Sequence, residues 1–358
     1  MTRVAPLDGR HRDAWDALVA ARQPGGFMQS WAWARFKELE GYEVVRLGIF
    51  DGERLTGGAL AYAFPSPAEA GLLAVPDGPL LDWEASGAGA TFERLVAALR
   101  RSAAGRRAVV LRIEPCLRVS GPADGLPAPL RGLARAPVDL VPEETLEVDL
   151  GTEPEMLARM KPKARYNAGL ALRRGVEVTT SVDPADVHEL YRVLEETAGY
   201  QGFLLEPKSF FINLVQALVP AVGRLAFARY KGITLAAALT VRHGTAVTYL
   251  YGGHVPLFTQ MMASYALHWH VMQEAAREGY RVYDFYAYVT PDRPDHPYAG
   301  FSRFKAKFGG RHVRRVGSRD LIFYDRLTDA ALGALRTASA GRRGPVTAAV
   351  TAAVTEGS

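Results

Sequence analysis

The strongest constraint on the fold is an internal repeat. Arg46-Leu47-Gly48-Ile49-Phe50-Asp51-Gly52-Glu53-Arg54-Leu55 resembles Arg224-Leu225-Ala226-Phe227-Ala228-Arg229-Tyr230-Lys231-Gly232-Ile233, 178 residues later. The helix and strand around Arg106–Ile113 match those around Tyr280–Phe285 at an offset near 174. Phe27–Leu39 matches Phe203–Val215 in element type at an offset near 176. Matches at nearly one spacing predict two copies of one α+β unit, each of about 150 residues. Each copy is expected to hold helices, a central hairpin, a long helix and a closing strand. Two similar domains leave a cleft between them, the usual place for a site.

Local signals fill in the unit. Residues 10–22 read as an amphipathic helix, and Ser30 as the N-cap of a helix carrying Trp33, Phe36 and Lys37. Val44–Phe50 and Leu55–Phe64 flank Asp51-Gly52, a hairpin turn. Pro76–Pro79 is a rigid turn, Thr91–Ala103 a helix and Ala108–Glu114 a buried strand. Residues 115–145 are rich in Pro and Gly and read as the crossover between domains. In the second copy, Thr145–Leu150 is a strand and Thr152–Glu155 a capping box. Pro162 breaks that helix, and Lys163–Arg174 resumes it until Gly175. Arg224–Tyr230, Leu235–His243 and Ala246–Tyr251 form strands, Ala263–Glu278 a helix and Arg281–Tyr286 a strand. The domains expected are 1–144, completed by about 318–340, and 145–317, with 341–358 a disordered tail.

Composition narrows the chemistry. The net charge of +5 and pI near 9.2 permit an acidic partner such as nucleic acid or a phosphate-bearing substrate. The single cysteine, Cys116, excludes an internal disulfide and a thiolate cluster, which suits a reducing cytosol. The N-terminus lacks an apolar signal core, and the apolar run from Leu235 to Gly253 is broken at Arg242-His243-Gly244, so no spanning segment is expected. The histidines show no metal-ligand spacing. No nucleophile elbow, P-loop or dinucleotide fingerprint is present, nor the glycine-rich turn that acetyl-CoA-dependent N-acyltransferases use to hold pyrophosphate.

Two stretches concentrate what chemistry remains. Lysine is scarce, seven against 36 arginines, so a retained lysine points to a need for a compact charge rather than a planar fork. Gly300-Phe301-Ser302-Arg303-Phe304-Lys305-Ala306-Lys307-Phe308-Gly309-Gly310 holds two of the seven; its plain reading is a basic strand-edge segment with a phenylalanine face in the core. Lys161-Pro162-Lys163-Ala164-Arg165-Tyr166-Asn167 sets three cations at a helix start, either a solvated end or a phosphate-binding surface. Tyr249, Tyr251 and Tyr283–Tyr286 read as core strands, within which the carboxylate of Asp284 needs a partner.

An ordered set of these residues resembles the Fem family of non-ribosomal peptidyltransferases, which build peptidoglycan cross-bridges. The set comprises Gln29-Ser30, Trp33 and Lys37, the Pro76–Pro79 turn, Asp149-Leu150, and Met160-Lys161-x-Lys163-x-Arg165-Tyr166-Asn167. It continues with Thr197, Asp284-Phe285 and the Gly300–Gly310 segment, so the resemblance runs from about residue 25 to 322. It implies α+β architecture with two N-acyltransferase-like (GNAT-type) domains in tandem, the last strand returning to the first domain. It implies a cytoplasmic enzyme that moves an amino acid from aminoacyl-tRNA to a stem-peptide amine of a peptidoglycan precursor, with no cofactor or metal. The acceptor is a UDP-MurNAc-peptide or lipid II, and a lipid-linked acceptor would bring the protein to the membrane surface. No long heptad hairpin is present, so the chain resembles the armless members.

The resemblance also distributes roles. Lys305 is implied at the oxyanion or leaving group, with Phe304 alongside. Lys37 and Trp33 are implied on the acceptor side, Lys37 at the precursor's phosphates. Tyr249 or Tyr251 would line the acceptor site, and Asp284 would support it. Lys161, Lys163, Arg165 and Lys307 are the candidates for the tRNA. The family commonly has arginine three residues after the Thr197 position, where this chain has Tyr200-Gln201. Two other readings compete: an acyl-CoA-dependent N-acyltransferase on the same fold, and a non-catalytic tRNA-binding module.

Overall fold

The structure is a computed structural model that describes residues 2–22, 25–64, 71–104, 108–119 and 125–323. The expected tail at 341–358 lies outside the described residues. Contacts divide the chain into two units: one runs to Glu143 and resumes at Arg314, the other holds Glu144–Val313.

The first unit opens with β1 (Thr2–Pro6), α1 (Arg12–Arg22) and α2 (Trp31–Leu39). Ser30 Oγ accepts from Trp33 N at 3.2 Å and starts α2. The hairpin β2 (Glu43–Asp51) and β3 (Arg54–Phe64) follows, then β4 (Gly71–Asp77), α3 (Ala88–Ala104), β5 (Ala108–Pro115) and the short β6 (Ala134–Arg135). Leu47, Ile49, Leu73, Val75, Leu111 and Ile113 form one core with Leu95 and Leu99 of α3. Leu7, Phe50, Leu60 and Leu80 form another with Trp15, Val19 and Ala34 of the first two helices.

The second unit repeats the pattern after β7 (Glu144–Asp149), α4 (Glu153–Arg159) and α5 (Pro162–Arg173). Thr152 donates its backbone N–H and hydroxyl to the Glu155 carboxylate, which closes the start of α4. Then come β8 (Val176–Ser181), α6 (Val187–Gln201), α7 (Lys208–Leu218), β9 (Gly223–Tyr230), β10 (Ile233–His243), β11 (Ala246–His254), α8 (Ala263–Arg277) and β12 (Val282–Ala287). The unit ends with α9 (Ala299–Lys305) and β13 (Arg311–Arg314), and β14 (Arg319–Ile322) belongs to the first sheet.

The two sheets have one topology. Their orders are β1-β2-β3-β4-β5-β14-β6 and β8-β9-β10-β11-β12-β7-β13. Equivalent strands start close to one spacing: Thr2 and Val176, Ala108 and Val282, Glu144 and Arg319. The sixth place in each sheet is filled by a strand reached from the other unit: β7 follows β6 and joins the second sheet, and β14 follows β13 and joins the first. The duplication is therefore interlaced.

The Gly300–Gly310 segment corrects the strand-edge reading. It is helix α9 followed by a 3-10 turn, Ala306–Phe308. Phe301, Phe304 and Phe308 lie at helical spacing and are all buried. Among the described residues no helix is long and apolar enough to cross a membrane, and no cluster of His, Cys, Asp and Glu is placed to hold a metal.

Candidate active site

The two sheets differ at one place. In the first, the parallel strands β4 and β5 pair along their whole length, from Gly71–Ala108 to Asp77–Pro115. In the second, β11 and β12 pair only at Ala246–Val282, Val247–Tyr283 and Thr248–Asp284. Beyond those pairs β11 continues to His254 and β12 to Ala287, so the strands splay. A splayed parallel pair leaves a slot between its strands, where main-chain polar groups must find partners.

A bulge shapes the slot. Asp284 pairs with Glu147 of β7 but Ala287 pairs with Thr145, so β12 carries one extra residue there. Tyr286 sits in the bulge with φ of 57°. Asp284 holds this turn: its Oδ1 accepts from the Thr145 hydroxyl and, at 2.7 Å, from Tyr286 N. The carboxylate that needed a partner is thus 2% exposed and satisfied within the sheet.

Lys305 closes the bulge from α9. Its Nζ donates to the carbonyl oxygens of Phe285 at 2.8 Å and Ala287 at 2.9 Å. It also lies 4.1 Å from the Phe301 ring centroid and 5.7 Å from that of Tyr249. The residue is 3% exposed. An ammonium fixed by two carbonyls and two rings is a positive charge positioned in advance at the splayed strands, as electrostatic stabilisation of a developing anion demands.

A second irregularity sets Tyr249 and Tyr251 in different surroundings. Thr240 pairs with Tyr249 and Leu239 with Tyr251, so Leu250 is bulged. The tyrosines then leave the strand in different directions. Tyr251 packs on Phe210 and Phe211 of α7, with centroids 6.1 and 5.0 Å away. Tyr249 packs on His268 of α8 at 4.8 Å and on Phe285 at 6.5 Å. Tyr249 thus lies near Lys305, and Tyr251 faces α7. Phe304 packs on Tyr265 at 5.0 Å and on His268 at 5.6 Å. His268, read in the sequence as one of several scattered histidines, is the hub of this cluster, and its Nδ1 lies 2.9 Å from the Tyr283 hydroxyl.

The segment after Lys305 reaches the basic helix start. The Lys307 carbonyl accepts from Lys161 N at 2.9 Å, and Lys307 Nζ donates to the Tyr265 hydroxyl at 3.2 Å. Gly309 and Gly310, at φ of 85° and 104°, allow the approach: a Cβ on Gly309 would stand 2.6 Å from the Arg159 carbonyl oxygen. Lys161, Lys163 and Arg165 are all exposed on the first turn of α5. Three cations at the positive pole of a helix oppose its dipole by roughly 0.3–1 kcal/mol each. A bound anion relieves that opposition.

The remaining expected residues lie in the first unit. Lys37 is 1% exposed, and its Nζ stands 4.6–5.2 Å from the ring centroids of Phe36, Trp33, Tyr62 and Tyr42. It is a caged cation rather than a surface charge, and a phosphate reaches it only when these rings move. Trp33 is 2% exposed within the same cage. On β5 of the same unit, Glu114 was not anticipated. Its Oε1 accepts from Leu140 N at 2.6 Å, from Val141 N at 3.2 Å and from the Ser318 hydroxyl. Burial pushes its pKa up to about 7, against the lowering effect of those bonds.

Comparison with known proteins follows the same outline. A model of the FemAB family matches residues 12–122 and 223–324. The chain is similar to a crystal structure of FemX, at 18% identity and a TM-score of 0.78, covering 89% of this chain and 97% of that one. It is also similar to the C-terminal domain (DUF2156) of a putative lysylphosphatidylglycerol synthetase from Agrobacterium fabrum, at 18% identity and a TM-score of 0.53, covering 92% and 99%. A tandem GNAT protein from the clavulanic acid biosynthesis pathway matches at 12% identity and a TM-score of 0.52, covering 91% and 100%. No curated protein matches the sequence.

Proposed function

The chain belongs to the FemAB family, and from that premise we propose that it is an aminoacyltransferase of peptidoglycan cross-bridge synthesis. It takes an amino acid from aminoacyl-tRNA and delivers it to a side-chain amine of the precursor's stem peptide. The observation that carries this reading is the continuity of one segment. Lys305 holds the splayed strands of the second sheet, and Lys307, two residues on, holds the basic start of α5. This continuity supports a reading in which the reacting ester lies beside Lys305 and the nucleic-acid backbone beside the start of α5.

The reaction is aminolysis of an ester. The acceptor amine attacks the aminoacyl carbonyl carbon, a tetrahedral oxyanion forms, and the C–O bond to the tRNA ribose breaks. The amine's proton ends on the released ribose oxygen. No covalent enzyme intermediate is needed, so positioning and charge stabilisation supply the acceleration. In this proposal Lys305 presents its fixed charge to the oxyanion or the leaving oxygen, and Phe304 forms the wall beside it. Tyr249 lines the acceptor side and Asp284 maintains the bulge, and the family resemblance alone adds Trp33 and Lys37 as contacts to the acceptor. Lys161, Lys163, Arg165 and Lys307 bind tRNA phosphates.

Muropeptides from a strain lacking the gene test this reading. Mass spectrometry is expected to show stem peptides without the bridging residue. An unchanged cross-bridge contradicts it.

A further inference from the structure

We propose that one end of the second domain's sheet is a docking surface for an anionic lipid bilayer. The surface is built at three neighbouring turns. The β9–β10 turn presents Lys231 and Ile233, the segment after β11 presents Leu257 and Phe258, and the end of α5 presents Leu172 and Arg174. Ile233 is 42% exposed, Leu257 48%, Phe258 37% and Leu172 49%.

These groups are contiguous. Ile233 pairs across the hairpin with Tyr230, so their side chains share a face. The Tyr230 ring meets the Phe258 ring edge-on, with centroids 5.6 Å apart. Tyr230 also pairs with Val176, the first residue of β8, just past the end of α5. Arg174 donates to the Gln260 carbonyl oxygen and ties that helix end to the Phe258 segment.

The backbone holds the apolar tips outward. Phe258 has φ of 52° and Met262 φ of 56°, both in the left-handed region that bulky side chains disfavour. The Phe258 ring rests one edge on Tyr230 and leaves the rest to solvent, so this turn is shaped to present an aromatic tip. Isolated apolar tips on turns, rather than a groove, suit shallow insertion into a lipid interface. Lys231 and Arg174 are both exposed, and from Pro256 to Met262 the chain has no acidic residue. Cations beside apolar tips match a negatively charged leaflet.

The position gives the surface a use. The segment carrying Leu257 and Phe258 continues from His254, the last residue of the splayed half of β11. Bilayer docking therefore brings the slot to a lipid-borne acceptor. That use rests on the proposed transfer reaction; the docking surface itself rests on geometry and charge.

Flotation of the full chain with vesicles tests the proposal. The wild-type protein is expected to float with phosphatidylglycerol/phosphatidylcholine vesicles and not with phosphatidylcholine alone. A Leu257→Ser/Phe258→Ser variant should lose about tenfold in bound fraction, and Lys231→Glu/Arg174→Glu should lose the preference for anionic lipid. Both variants should remain folded and unfold in one cooperative transition, though each loses a local contact. Wild-type protein that ignores anionic vesicles, or a serine variant that floats like wild type, overturns the proposal. So does light scattering that shows a dimer dispersed by the serine variant, since a second copy would then own the surface. Flotation is read without any transfer assay, so its outcome is separate from that of the enzymatic reading.

Discussion

The backbone carbonyl of Lys307 accepts a hydrogen bond from the backbone N–H of Lys161 at 2.9 Å. This contact joins the segment that holds the splayed strands to the helix start that carries the exposed cations. Reversing the charges of the exposed Lys161 and Lys163 should therefore weaken tRNA binding without harming the fold, whereas Arg165 also donates to the Leu157 carbonyl oxygen at 3.0 Å, so its reversal should cost some stability as well. The salt dependence is the sharper reading. Each lost phosphate contact reduces the slope of log K against log salt by roughly 0.7–0.9. Filter binding across a salt series checks this, and an unchanged slope places the tRNA elsewhere.

Lys305 holds the bulge and, in the proposed reaction, also stabilises the oxyanion. Replacing it with Ala leaves the Phe285 and Ala287 carbonyls, now bonded at 2.8 and 2.9 Å, without that donor. Each buried acceptor left unmade costs roughly 1–3 kcal/mol. The variant is therefore expected to fold but to melt earlier than the wild type. Assayed below its melting transition, Lys305→Ala should lose about 10²–10³ in turnover. Turnover near the wild-type value would remove Lys305 from the reaction.

Tyr249 and Tyr251 should part company. Tyr249→Phe keeps the ring on His268 and near Lys305 and removes only the hydroxyl, so an effect on KM or kcat is expected with little change in melting. Tyr251→Phe, facing Phe210 and Phe211, should leave kinetics untouched. Tyr251→Ala should instead cost about 3–5 kcal/mol of stability as a core truncation. Kinetics and denaturant unfolding of these variants distinguish the assignments, and equal kinetic effects at both positions would refute the role given to the bulge at Leu250.

Glu114 predicts a pH dependence of stability. Its pKa is raised from 4.5 to about 7 in the folded state. A raised carboxyl pKa means that the folded state binds the proton more tightly than the unfolded state. The resulting stability is fully present below pH 4.5 and is lost as pH rises to about 7. The change is on the order of 3 kcal/mol. Glu114→Gln keeps an acceptor for Leu140, Val141 and Ser318 but cannot ionise, so its stability should be flatter over that range. Thermal melts from pH 5 to 8 read the difference, and parallel curves for the two proteins would contradict it.

The architecture was legible in the sequence because a duplicated chain announces itself by spacing. The hairpins at Asp51-Gly52 and Lys231-Gly232, the cap at Ser30 and the break at Pro162 each rest on local chemistry. The site was less legible because it depends on register between distant segments. Nothing near Asp284 in the sequence says that Thr145 bonds to it, and nothing near Leu250 says that a bulge separates two tyrosines. The helix at Ala299–Lys305 was readable from Phe301, Phe304 and Phe308, but the glycines around it suggested an extended segment. Glu114 was hidden within a strand of ordinary appearance; its partners arrive from residues 140, 141 and 318.

The central claim is that this protein moves an amino acid from tRNA to a precursor amine. The most direct test incubates the purified chain with a UDP-MurNAc-pentapeptide and either charged tRNA or an acyl-CoA, and measures the mass of the acceptor. The account predicts a gain of one aminoacyl residue with charged tRNA only, lost in Lys305→Ala. Acyl transfer from the acyl-CoA, or tRNA binding with no mass gain on either this acceptor or its lipid-linked form, would contradict it.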